Sequence, residues 1–557
     1  MKTTLPALLL LAFVACANVA QDVPPDARKV DTADLLARYL KADVDARVKL
    51  RAQLVQQPPA DLQAAIAGLK FEKPARTGML RMTTICPDGY NRPYWVWLPE
   101  TYDPAKSYNL IVALHGGVTG TPLEAEDGSP GESMASLFVE SLPVALRDQT
   151  VIVGASAGVP ETHEAAAWWW TDGQRNVLHF VHEVKRRVNI DENKVLVSGL
   201  SDGGSGSFGF AYRMPDTFAG YFPMIGHPLV PTADGQPVFL ENLKGSNIYA
   251  FNGGKDPLYP TRITKPLYEQ ANSAGASIRF TEHPDLGHTV SPVIKNELKL
   301  FADELWPHWK RDLLPKSIDW TTTSTDRGRR AWLWITEISN FGKAGADIPN
   351  AEIKMPGARV RLGVQLVPDS SPPKVEMIVK GSTAEQLGLK EGDAITKLDN
   401  TEIKTFDDLL AALGEKAPGD EVSIVIKRGK EELTLKGAFP KAQQQEEKPD
   451  VLAARVIASY EPGKISIKVR NAKKLTLKIH PDMLLNGKLI VSLAGSTGVK
   501  ELAFADLAPS SEFILRQYEE SGDRTRPFIC ELEIDVAAAL GVKAPTKPKP
   551  GEEEDEF

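Results

Sequence analysis

Cysteine is scarce: Cys16, Cys86 and Cys530 are the three in 557 residues. So few exclude a disulfide-built scaffold, and no two are spaced as a zinc site requires. Cationic charge is not in surplus either. Lys and Arg number 65 against 73 Asp and Glu, a formal net charge of −8, which argues against nucleic acid as a partner. Long apolar runs are missing beyond the first twenty residues, so no transmembrane segment is expected in the mature chain. No fixed period recurs, which excludes a repeat solenoid. Hydrophobic content of 42% with 25% charged residues is far from the composition of a disordered chain, and it suffices for several cores. At this length about two to four domains are expected.

Residues 1–20 read as an export signal, and the mature protein as periplasmic or extracellular. Lys2 opens the signal, an apolar stretch runs from Leu5 to Ala15, and small residues allow cleavage after Ala17 or Ala20. Phe13-Val14-Ala15-Cys16 also has the outline of a lipoprotein cleavage site, although Phe13 stands where leucine is usual. Export would carry Cys86 and Cys530 into an oxidising compartment, where they either pair or stay as two buried thiols.

Residues 21–75 are expected to form an N-terminal helical segment. Its apolar face runs through Leu35, Leu36, Tyr39, Leu40, Val44, Val48 and Leu54, and a second helical stretch starts at Asp61. From 76 to 314, short apolar runs at 94–98, 110–114, 151–153, 195–197, 221–224 and 248–251 alternate with helical stretches such as 174–188. That alternation predicts the α/β class: a doubly wound, mostly parallel sheet with helices on both faces. Residues 315–356 carry Trp320, Trp332 and Trp334 in strand-like alternation but are too few for a domain. They are expected to complete the β-rich domain at 451–540, with the unit at 357–438 inserted between the two parts. Residues 439–450 read as a polar linker, and 541–557 as a disordered acidic tail.

Gly199-Leu200-Ser201-Asp202-Gly203 lies between the buried run at 195–197 and a helical stretch. A strand-to-helix turn this tight needs small neighbours, and it leaves the serine hydroxyl exposed as a nucleophile. Negative charge developing on a carbonyl oxygen needs N–H donors. Gly116 and Gly117, in the turn Leu114-His115-Gly116-Gly117, would supply one and the N–H of Asp202 the second, with His115 supporting the turn. Acid and base follow the serine in chain order. Asp256, after the run at 248–251, is the expected acid and Asp285 its competitor. His288, on the loop beyond 277–282, is the expected base and His283 its competitor, whereas His308 reads as packing and His480 falls in another domain. Trp168-Trp169-Trp170 either walls the substrate cleft or packs beneath a loop. His179, His182 and Glu183 lack the spacing of a zinc-binding helix, so no metal is expected, and no motif implies a cofactor.

Taken together, LHGG at 114–117, VLVSGLSDGG at 195–204, GGKDPLYP at 253–260 and DLGHT at 285–289 make residues 94–309 resemble the α/β-hydrolase superfamily. The likeness is to secreted esterases related to polyhydroxybutyrate depolymerases and feruloyl esterases. It implies hydrolysis of a carboxyl ester through an acyl-serine intermediate. Two alternatives remain: a serine peptidase of prolyl-oligopeptidase type, against which the lack of a preceding propeller counts, and a catalytically inert envelope scaffold. Residues 357–438 resemble a bacterial PDZ domain through GSTAEQLGLKEGDAI at 381–395, LDN at 398–400 and a helix at 407–413. That resemblance implies a carboxylate loop at Leu362, Gly363 and Val364, whose backbone would capture a peptide C-terminus, or else a PDZ fold serving as a spacer. No motif encodes which ester is the substrate.

Overall fold

The structure, a computed structural model, describes residues 31–118, 130–158, 166–341, 348–349, 360, 362–367, 370–440, 452–495 and 498–542. The export signal with Cys16, the linker from residue 441 onward and the acidic tail from residue 543 lie outside the described residues. The chain divides into two units, 1–69 and 70–557.

The first unit contains helices α1 (Thr32–Lys41), α2 (Val44–Leu54) and α3 (Pro59–Ala67). Where the apolar pattern predicts one helix up to Pro58, the chain breaks at Ala42-Asp43. Asp43 caps α2 by accepting the Ala46 N–H at 2.9 Å, which satisfies an N–H that has no partner within the helix. The break resets the helical phase. Leu35, Leu36 and Leu54 are buried, while Val44 and Val48, expected on the same face, are 77% and 68% exposed.

In the second unit, β1 (Gly78–Ile85), β2 (Asn91–Leu98), β3 (Tyr108–Leu114), β4 (Thr150–Ala155), β5 (Ile190–Leu200), β6 (Gly220–Met224), β7 (Asn247–Gly253) and β8 (Ser277–His283) form one sheet. Its order is β1-β2-β4-β3-β5-β6-β7-β8. β2 runs antiparallel to β1 and β4, and all pairs from β4 to β8 are parallel. Leu110, Val112 and Leu114 of β3 enter one core. The residues between them, Ile111 and Ala113, enter the other. Burial on both faces is why these strands read as continuous apolar runs, each buried Val, Leu or Ile contributing about 1.5–3 kcal/mol. Helices α6 (Thr171–Lys185), α7 (Asp202–Arg213) and α8 (Thr261–Ser273) supply residues to the first core, and α4 (Pro130–Ser141) and α9 (Ile294–Leu300) to the second; a short α5 (Val144–Arg147) leads into β4. β1 has no counterpart among the predicted runs, because an edge strand with alternating exposure carries little apolar signal.

Two further sheets share one core. One has the order β22-β21-β19-β18-β9 and the other β10-β11-β20-β23. They are built from β9 (Ser317–Thr322), β10 (Arg329–Arg330) and β11 (Leu333–Ile338) on one side of the inserted segment. On the other side are β18 (Ala454–Glu461), β19 (Lys464–Arg470), β20 (Ala472–Ile479), β21 (Leu489–Gly495), β22 (Gly498–Phe504) and β23 (Cys530–Asp535), with helices α12 (Ser511–Ser521) and α13 (Val536–Leu540). β9 pairs with β18 and β11 with β20, and Trp320 and Trp332 are buried among residues 454–536. Cys86 and Cys530 lie in different cores, and no disulfide joins them. A buried ion pair and a hydrogen bond tie this β-rich part to the large sheet's layer: Arg311 reaches Asp523 at 2.7 Å, and Arg524 donates to the Ile190 carbonyl at 2.7 Å.

The inserted segment has its own core. It pairs β12 (Val364–Leu366) with β13 (Val375–Ile378). A second sheet has the order β15-β14-β16-β17, built from β14 (Ala394–Leu398), β15 (Thr401–Glu402), β16 (Glu421–Arg428) and β17 (Glu431–Ala438), with helices α10 (Thr383–Leu387) and α11 (Phe406–Gly414).

Candidate active site

Ser201 sits between the end of β5 and the start of α7 with φ 58° and ψ −113°, a left-handed conformation that costs a non-glycine residue of order 1–3 kcal/mol. Neighbouring hydrogen bonds hold it there. Its N–H donates to the Met224 carbonyl at 3.0 Å, and its carbonyl accepts from Ser205 N–H at 2.9 Å. The small residues are a packing necessity: a Cβ at Gly203 would stand 2.0 Å from the Leu114 carbonyl oxygen, and one at Gly199 2.4 Å from Gly203.

Asp256 follows β7 and His288 follows β8, so parallel neighbours deliver both to the carboxyl end of the sheet, beside the turn after β5. His288 Nε2 is 2.8 Å from Ser201 Oγ, and its Nδ1 is 2.8 Å from Asp256 Oδ2. Asp256 is buried, and its other oxygen accepts the N–H groups of Leu258 at 2.8 Å and Tyr259 at 2.9 Å. A carboxylate facing Nδ1 requires the proton on that nitrogen, which leaves Nε2 to accept the serine proton. The two loops are stitched together by Gly254 N–H to the His283 carbonyl, 2.8 Å, and Lys255 N–H to the Leu286 carbonyl, 3.0 Å.

The competing residues face elsewhere. His283 Nε2 bonds Glu297 Oε1 of α9 at 2.9 Å, and Asp285, with a side chain 90% exposed, pairs with Lys255 at 2.8 Å. His308 is exposed, and His480 accepts from Asp482 N–H in the β-rich part.

Gly116 lies over the nucleophile, since a Cβ there would be 3.1 Å from Ser201 Cβ. His115 Nδ1 is 2.7 Å from the Gly116 carbonyl, while its Nε2 accepts Ala157 N–H at 3.2 Å. With that carbonyl held, the trans peptide turns the Gly117 N–H the opposite way. Burial holds the His115 pKa below its ordinary value, so the ring stays neutral and can donate at one nitrogen while accepting at the other. Asp202 begins α7, and its carboxylate accepts Val118 N–H at 3.1 Å, tying the glycine turn to the helix that follows the serine. Trp168 donates to the His115 carbonyl at 2.9 Å and so supports the turn, whereas Trp169 is buried against Gly209 of α7 and Trp170 is 40% exposed.

Two aromatic residues not singled out from the sequence also border the site. The Tyr259 ring lies 5.8 Å from His288 and 5.4 Å from His227. Burial, and then the charges of Asp202 and Asp256, push its hydroxyl up to about 12. Its signal was its place three residues after Asp256. His227 has no such local cue: its N–H donates to Ser205 Oγ at 3.0 Å, a contact made across the fold. Among the described residues no group of three or more His, Cys, Asp or Glu could hold a metal, and no helix is long and apolar enough to cross a membrane.

In the inserted segment, Leu362, Gly363 and Val364 lead into β12. Gly363 has φ 77°, and a Cβ there would be 2.3 Å from Ser382 Cβ. The Leu362 carbonyl accepts Ala384 N–H at 2.7 Å, and Val364 pairs with Ile378. β12 lies at the end of its two-stranded sheet, with one edge not paired within that sheet.

Residues 360–437 match the PDZ domain family. No curated protein sequence matches the chain. Similar solved structures include a thermostable esterase, 21% identical, covering 42% of this chain and 63% of that one at a TM-score of 0.33. Others are S-formylglutathione hydrolase from Staphylococcus aureus (16% identical, 42% and 100% covered, TM-score 0.31) and a ferulic acid esterase from Anaeromyces mucronatus (13% identical, 41% and 92% covered, TM-score 0.30). The order of its large sheet and the sharp turn carrying Ser201 give this chain an α/β-hydrolase-type unit, joined to a PDZ domain at 360–437 and a β-rich C-terminal part.

Proposed function

We propose that the protein is an exported serine hydrolase that cleaves a carboxyl ester, with Ser201 as nucleophile, His288 as general base and acid, and Asp256 as the group that orients His288. The observation that carries this reading is the continuous chain Ser201 Oγ, His288, Asp256, with both hydrogen bonds at 2.8 Å and the serine on a strained turn. Ser201 Oγ adds to the ester carbonyl carbon as its proton passes to His288 Nε2. The N–H groups of the turn at Gly116 and Gly117 and of Asp202 take the negative oxygen. Collapse expels the alcohol, which receives the proton from His288. Water, deprotonated by the same nitrogen, then releases the carboxylic acid and free Ser201. Export rests on the segment 1–20, with cleavage after Ala17 or Ala20, and the PDZ domain supplies a site for a peptide C-terminus at Leu362, Gly363 and Val364.

Hydrolysis of short-chain p-nitrophenyl esters by the protein lacking residues 1–20, beside Ser201→Ala, tests the reading. The expected result is turnover in the wild type, loss of at least about 10³-fold in the variant, and fluorophosphonate labelling of Ser201 alone. Equal rates in both proteins, or no labelling of Ser201, would overturn it. Turnover of peptide and not ester substrates by the same serine would move the assignment to a peptidase.

A further inference from the structure

A cavity of about 530 Å³ lies between the outer face of α6 and the β-rich part, and none of Ser201, Asp256 and His288 lines it. Its size suits a small-molecule ligand. Thr171, Arg175, Leu178, His182 and Lys185 form one wall, at the three- and four-residue spacing that places side chains on one helical face. Across from them stand Arg329 of β10, Lys478 of β20, Glu520 of α12 and Arg526. Arg327 closes one end by donating to Thr171 at 3.0 Å, and Gly522 approaches His182 so closely that a Cβ would be 2.7 Å from the ring.

The lining is cationic. Eight arginines and lysines face four carboxylates. Glu192, Asp234 and Asp172, behind the lining, pair with Lys185, Arg213, Arg327 and Arg175, and counting them still leaves one positive charge over. The excess centres on Lys478. Among the described residues no carboxylate stands within ion-pair distance of its Nζ, and burial, then Arg526 and Arg329, bring its pKa down to about 8 against the weaker opposing pull of Asp216 and Glu520. Arg329 meets Glu520 only at 3.7 Å and lies over the Trp334 ring at 4.0 Å. Arg526 Nε is buried and 3.3 Å from Asp523, a carboxylate already shared with Arg311, and it makes no hydrogen bond. His182 adds no charge near neutral pH, because burial and Arg186 push it to about 4. Like charges converging on a partly desolvated space raise one another's energy, and an anion placed among them relieves it. One arginine fork satisfies a flat carboxylate, whereas cations arriving from β10, β20 and the loop after α12 suit the tetrahedral oxygens of a phosphate group.

We propose that this cavity is a binding site for a small phosphate-bearing ligand, with Lys478, Arg329 and Arg526 as its cationic contacts. The probe is inorganic phosphate, titrated calorimetrically into the full chain with chloride holding the ionic strength constant; glycerol 2-phosphate forms a second arm. Saturable binding at one site per chain is expected, weakened about tenfold or more in Lys478→Met and in Arg329→Gln. Tighter binding of the monoester identifies an esterified ligand, and tighter binding of phosphate the free ion. Heats no larger than those of the chloride control, or unchanged affinity in both variants, would overturn the proposal. Binding is read without turnover, and Ser201→Ala is expected to bind phosphate like the wild type, so this site and the hydrolase reading fail separately.

Discussion

Asp256 has both carboxylate oxygens engaged, one by His288 and the other by two backbone N–H groups, so its charge and its orientation are set together. Asp256→Asn keeps the shape but presents an amide N–H or a neutral oxygen to Nδ1, which disturbs the tautomer that leaves Nε2 free to accept a proton. A drop of about 10³–10⁴-fold in kcat with little change in KM is expected, measured on p-nitrophenyl esters near neutral pH. A second prediction at this scale concerns acid. The folded pKa of His182 lies near 4, below its ordinary 6.5, so its unfolded form binds the proton more tightly. Stability is therefore fully present above about pH 6.5 and falls as pH drops toward 4. Asp523 adds to this at lower pH. Although burial alone would raise it, Arg311, Arg526 and Lys185 hold it far below 3.8, so its contribution is present above 3.8 and lost on further acidification. The thermal midpoint should fall from pH 7 to pH 4 and more steeply below. In His182→Gln the decline between 6.5 and 4 should be shallower.

The turn from β5 into α7 is the element on which the site depends, because Gly203 lets the helix start against the carbonyl of Leu114 at the end of β3. Gly203→Ala would force that contact open and displace the serine from the glycine turn at 116–117. The expected cost is about 3 kcal/mol in urea unfolding, with activity lost even where folding survives. Elements buried on both faces were legible as apolar runs, and β3, β5 and β7 contain theirs while extending beyond them. Elements defined by a cap or an edge were not. The start of α2 depends on Asp43, an ordinary polar residue in an amphipathic stretch, and β1 depends on a partner strand rather than on its own pattern. Helix α6 spans Thr171–Lys185 where apolar spacing predicts 174–188, since periodicity locates a face more sharply than an end.

At the scale of the whole molecule, the PDZ-bearing segment leaves and re-enters the β-rich part at one point. The Asn471 amide accepts the Phe341 N–H at 3.0 Å and donates to the Ala453 carbonyl at 3.0 Å, so the chain on either side of the insertion is clamped to one side chain. Replacing residues 342–451 by a short Gly-Ser linker should therefore leave the ester hydrolysis proposed for Ser201 and the thermal midpoint of the remainder unchanged while removing the peptide binding proposed for the PDZ domain. A large loss of stability would show that the insertion supports the sheets. Asp523→Asn tests the tie between the β-rich part and the large sheet, because it leaves Arg311 buried without its counter-charge. A loss of about 3–5 kcal/mol is expected by chemical denaturation.

What the sequence by itself determined are features carried by a few consecutive residues. They include the tight turn around Ser201, the glycine turn at 116–117 and the long PDZ motif at 381–395. Each is local because backbone conformation and close approach depend on immediate neighbours. The tertiary structure decided everything that needs a partner from far along the chain. It decided which of His283 and His288 faces Ser201, and that Asp285 meets Lys255 while Asp256 meets the imidazole. It also decided that Trp168 props the glycine turn, and that a surplus of cations drawn from residues 171–526 gathers around one cavity. Hydrogen bonds and Coulomb interactions act over a few ångströms of space, and only the folded sheet order brings such residues within that range.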